Sequence, residues 1–131
     1  MKHSGFRVGL VATAVVAALS ATACGASAQV WTGDGHVVAT YDGSNHCNWD
    51  SVHFMEIDRE QYVFDPGSTI DRHLLAGEPE NDAELPSDAV DMGMRRGNAS
   101  LWLAADGQAA YVVSRDNVQK WPHALTLIGC D

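Results

Sequence analysis

The sequence predicts an all-β fold, a small antiparallel meander closing into a barrel or a sandwich. Three observations carry that expectation. From about residue 36 short apolar runs alternate with turn signals. No stretch of that region holds apolar residues at helical spacing for three turns. The turns of the second half are short, which favours antiparallel neighbours.

The elements follow in order. His36 to Tyr41 stops at Asp42-Gly43, Trp49 to Ile57 runs into Asp58-Arg59-Glu60, and Gln61 to Phe64 stops at Asp65-Pro66-Gly67. In the second half the expected strands are Ala89 to Met94, Ser100 to Ala104, Ala109 to Ser114 and Val118 to Trp121. The turns between them fall at Arg95-Arg96-Gly97-Asn98, around Asp106-Gly107, and at Arg115-Asp116-Asn117. Alternation sets Leu101 and Leu103 against Trp102 and Ala104, and Tyr111 and Val113 against Ala110 and Val112. Both faces are apolar, so the sheet needs cover on two sides. Ala76 to Asp91, with two prolines and six carboxylates, reads as a surface loop.

The first 23 residues read as a signal-peptide helix: Lys2 and Arg7, an apolar run from Val8 to about Leu19, then small residues. A membrane anchor needs roughly 20 apolar residues, and Gly25, Ser27 and Gln29 follow too soon. Residues 24–35 lack periodicity and read as a flexible tether, leaving 36–131 as a single β domain. Ala21-Thr22-Ala23-Cys24 resembles a lipobox, with Ala21 where leucine is typical, and implies lipidation at Cys24; Ala26-Ser27-Ala28 fits cleavage and release instead. The expected address is extracytoplasmic, on the outer face of the cell membrane or secreted.

Either cleavage leaves Cys47 and Cys130, an even pair in an oxidising compartment, expected to form a disulfide. Closing so long a loop would contribute about 4 to 5 kcal/mol by the chain-entropy estimate. Losing Lys2 and Arg7 takes the basic count from 8 to 6 against 17 acidic side chains, and the formal charge from -9 to -11. That balance argues against nucleic acid as a partner, and leaves a lipid anchor as the one expected contact with the membrane.

CNWDSVHF (47–54), DAELPSDAVDMG (82–93), SLWLAADGQAAYVV (100–113), Trp121-Pro122 and the closing Gly129-Cys130 resemble a group of small predicted lipoproteins of actinobacteria. The resemblance spans most of the chain from Cys47 onward. It implies an exported envelope protein with paired cysteines, and no activity or catalytic residue.

Candidate sites are few. The five histidines that follow the signal segment, His36, His46, His53, His73 and His123, lack the close pairing of zinc ligands, so no metal or other cofactor is expected. The acidic loop is interrupted by Pro79 and Pro86 where a calcium loop needs fixed ligand offsets. No G-x-S-x-G elbow exists. Glu56 and Asp58, two apart, could share a face as glycoside hydrolysis requires. Trp121 is expected to be partly exposed, and with the hairpin tip Arg95-Arg96 it forms the candidate partner surface. The expected function is a non-catalytic binding module for an envelope protein or small ligand. The alternatives are a carboxylate-dependent secreted hydrolase, and an inhibitor of exported enzymes acting through the 76–91 loop.

Overall fold

Eight strands form two antiparallel sheets in a computed structural model that describes residues 30–43 and 49–129. The three-stranded sheet runs β2 (Val38–Asp42), β3 (His53–Ile57), β4 (Glu60–Phe64). The five-stranded sheet has the order β1 (Thr32–Gly33), β5 (Val90–Arg96), β6 (Ala99–Leu103), β7 (Ala109–Val113), β8 (Val118–Pro122). The all-β class and the meander are as the turn spacing predicts, within four residues at every end of the seven expected strands.

Period-2 alternation builds the core. Met55, Ile57, Tyr62 and Phe64 from the smaller sheet meet Met94, Leu101, Ala110, Val112 and Trp121 from the larger in one buried cluster. The sheets therefore face each other. They join at one corner, where the chain leaving β8 crosses to β4 through the Tyr62↔His123 bridge and the Ala124 N–H to Gln61 carbonyl bond of 2.8 Å. Among the described residues no ladder joins β2 to β1 or β5, so the barrel alternative is corrected: two separate sheets do not close.

The outer face of the smaller sheet is also dry. Phe54 and Val63 pack there with Val52, Ile70, Leu75, Ala124 and Ile128, under the segments that follow β4 and β8. Gln61, 4 % exposed, fastens the end of the chain: its side-chain oxygen accepts from the Ile128 N–H at 2.8 Å and its amide donates to the Ile128 carbonyl at 2.9 Å.

Two expectations need correction. The tether does not extend to residue 35: Trp31 is buried in the core and Thr32–Gly33 pairs with Met94 and Arg95 of β5. Glycine is required at position 33, because a Cβ there would come within 2.3 Å of the Gly93 carbonyl oxygen. Arg95 and Arg96 are strand residues, since the β5–β6 turn is Gly97-Asn98 alone, with Gly97 at φ +61° in the first position, where a II′ turn takes glycine. Residues 76–89 are a surface loop, as expected of Ala76 to Asp91, although Val90 and Asp91 already belong to β5; the loop is nonetheless pinned to the sheet. Glu80 and Lys120 exchange backbone bonds, and the Ala83 N–H donates to the Val118 carbonyl at 2.8 Å, which covers the edge of β8.

Candidate functional site

The outer face of the larger sheet carries a cross-strand row of Trp102, Tyr111 and Lys120. Two segments rise beside it. One is the end of the acidic segment, with Pro86 and Asp88; the other is the β6–β7 turn, Ala104 to Gln108. Between them lies an open groove of about 430 Å³, lined also by Ala109, Tyr111 and Lys120.

Each wall is held by the fold. The β6–β7 turn is closed by the Gly107 N–H bond to the Ala104 carbonyl at 2.9 Å, with Gly107 at φ +75°. The Asp106 carboxylate accepts from the Gln108 N–H at 3.0 Å. From behind, the Tyr62 hydroxyl donates to the Gly107 carbonyl at 3.1 Å; burial, with Glu60 and Asp58 nearby, pushes that phenol up to about 12, so it stays a donor. The opposite wall is set by the bonds of Glu80 and Ala83 to β8, and by the Asp82 N–H donating to the Asn117 side-chain oxygen at 2.8 Å.

Tyr111 occupies the floor. It is 5 % exposed, and its hydroxyl has no hydrogen-bond partner among the described residues. Burial raises its pKa, and the negative charges of Glu80, Asp106 and Asp88 raise it further. The Lys120 ammonium lies 3.6 Å from the Glu80 carboxylate, whereas Asp88 and Asp106 have no ion-pair partner among the described residues.

No family model, curated protein or solved structure matches this chain.

The residues singled out from sequence are placed as follows. Trp121 is 6 % exposed, which corrects the expectation of exposure. Its partner across the sheet is the small Ala110, and this pair faces inward, where Trp121 tilts against Phe64 with ring centroids 5.5 Å apart. Arg95 is exposed and bonded to Asp91, whose carboxyl Arg95 and the Gly93 N–H together lower. Arg96 lies 4.7 Å from the Trp31 ring centre, and burial lowers its pKa. These three side chains therefore do not form one exposed surface. Cys24, Cys47, Cys130, His46 and the segment expected to be a signal-peptide helix lie outside the described residues.

Glu56 and Asp58 do line one hollow, with Val37, Ala39 and Arg59. Asp58 is engaged there by the His36 ring at 2.7 Å and the Val37 N–H at 2.9 Å, which hold its carboxyl below the usual range. Glu56 accepts from the Tyr41 hydroxyl at 3.2 Å. His73 pairs with Asp71 and His123 with Glu60, and among the described residues no three His, Cys, Asp or Glu side chains could hold a metal ion. The acidic segment spends Glu78 on Arg72 and Glu80 on Lys120.

Sequence reasoning did not find the groove. Its walls come from stretches some twenty residues apart, and only the parity that sets Tyr111 opposite Ala110 hinted at a second face.

Proposed function

We propose that this is an exported envelope protein, tethered through a lipidated Cys24 or released after Ala28, whose β domain is a non-catalytic binding module with the outer-face groove as its binding surface. One observation carries the reading of the domain: residues from three segments converge on Tyr111, a residue 5 % exposed that lines the groove and whose hydroxyl has no hydrogen-bond partner among the described residues. A concave site on which a few polar groups converge is a usual form of a ligand site. The address rests on the basic, apolar and small-residue succession of the first two dozen residues. A disulfide between Cys47 and Cys130 belongs to the same reading; Trp49 and Gly129, the described residues nearest them, line a common hollow.

A photo-cross-linking residue at Ala105, on the groove wall, is expected to capture an envelope component on intact cells, while the same residue at Asp116 in the β7–β8 turn captures none. Equal products from both positions would remove the groove from the proposal. Mass spectrometry of the unreduced mature protein reads the address and the bridge together. An acylated Cys24 or an N-terminus at Gln29 is expected, with no alkylatable thiol at Cys47 or Cys130; free thiols there refute the bridge, and an intact Met1 refutes export.

The second reading is the hydrolase, favoured by the shared hollow of Glu56 and Asp58. It requires turnover of an envelope substrate that is lost in Glu56→Gln.

A further inference from the structure

Resting on the groove as a binding site, we infer that its ligand is an alkylammonium group, an amine carried on a short apolar body. Asp88 and Asp106 stand on opposite walls with no cationic partner among the described residues, and Tyr111 presents an unpartnered hydroxyl between them. The phenol stays protonated well above neutral pH, since burial and the surrounding carboxylates both oppose its ionisation. Its oxygen can accept beside the two carboxylates, and its O–H remains a donor that either carboxylate can take. A primary ammonium has three N–H donors and no acceptor, and its charge and donors suit a set dominated by carboxylate oxygens.

Other ligand chemistries fit less well. An anion would meet Glu80, Asp88 and Asp106 against a single cation, Lys120, already paired with Glu80 at 3.6 Å. A neutral polyol would desolvate two carboxylates without a countercharge. The small side chains of Ala104, Ala105 and Ala109 leave room for methylenes along the floor. The volume of about 430 Å³ suits a small molecule or one long side chain. The amine has two sources, a free diamine or the lysine side chain of a peptide, with the same chemistry at the site.

The test is a nuclear magnetic resonance titration of the protein with 1,5-diaminopentane, the peptide Ala-Lys-Ala, 1,5-pentanediol and glutarate. Saturable shifts of the backbone amides of Ala104 to Ala109 and of Asp88 are expected with at least one of the first two. The tighter of these identifies the source. Asp88→Asn and Asp106→Asn should each weaken binding about tenfold, as expected for losing a charged hydrogen-bond acceptor. Asp116→Asn removes the same charge at the opposite end of β7 and should leave binding unchanged. The inference is overturned if neither amine shifts these amides, or if Asp116→Asn weakens binding as much as Asp88→Asn. Saturable binding of pentanediol or glutarate at equal or greater strength also overturns it, yet leaves the groove a binding site; loss of the groove itself is read by cross-linking at Ala105.

Discussion

Replacing Asp65 with alanine is expected to destabilise the domain by about 3 to 5 kcal/mol, the usual effect of removing one partner from a buried charged network. Asp65 has no exposed surface. Its carboxylate accepts from the Thr69 N–H at 3.0 Å, the Ile70 N–H at 2.7 Å and the Arg72 guanidinium at 2.9 Å. Arg72 returns to the same residue, donating to the Asp65 carbonyl at 2.6 Å, and reaches Ser68 at 3.1 Å and Glu78 at 2.9 Å. The segment from Asp65 to Arg72 is thus wound around one carboxylate. That winding delivers Ile70 to the outer apolar cluster. Alanine leaves two backbone donors and a guanidinium without their acceptor, and the loss is a large share of the 5 to 15 kcal/mol typical of a small domain.

Controls separate the organiser from its partner. Arg72 is 23 % exposed, so water can replace part of what it makes, and Arg72→Ala should cost less, about 1 to 3 kcal/mol. The double variant should fall short of the sum, because the second deletion removes groups already left unpaired. Urea midpoints at unchanged slope measure all three. A cost below about 1 kcal/mol for Asp65→Ala, or strict additivity, would show that the segment is held by its apolar contacts instead.

The network also shows where sequence stops informing. Asp65-Pro66-Gly67 announces a turn, and a turn forms; nothing local says that the aspartate points inward to meet an arginine seven residues on. The hairpins were legible because their signals are local: Asp106-Gly107, Gly97-Asn98 and alternation on either side fix strand and parity together. The choice of separate sheets over a barrel depends on whether distant edges pair, for which no neighbouring residue codes. Trp31 and Trp121 were misplaced for a related reason. A tryptophan's burial is decided by what lies across the sheet, Ala110 for Trp121 and Arg96 for Trp31, and each partner is far off or on another strand. The groove is the extreme case, since its acids come from two segments and its tyrosine from a third. Their charges were visible in composition, and their convergence was not.

The second large effect lies on the opposite face of the same sheet. Leu101→Ala is expected to cost about 3 kcal/mol, within the 2 to 5 kcal/mol typical of leucine truncation in a core. Leu101 has no exposed surface and pairs with Val112 in the centre of β6, where the five-stranded sheet meets Met55 and its neighbours. Leu101 is paired directly to β7, and the β5 ladder holds Ser100 and Trp102 on either side of the bulge opposite it, so the cavity cannot collapse easily and the cost should exceed simple transfer of the lost methylenes. Leu103, two residues on and on the same face, is only partly buried at the margin of that cluster, and its truncation should cost about 1 kcal/mol. Leu127, 78 % exposed, should change stability by less than about 0.5 kcal/mol. Denaturant titration of the three variants therefore reads the packing of the two sheets directly: equal costs at Leu101 and Leu103 would mean that the facing sheets are not closely packed. Because Leu101 points away from Tyr111, Leu101→Ala should leave ligand affinity at the groove unchanged at temperatures where the variant stays folded. That separates the residues that hold the sheets together from those that line the opposite face.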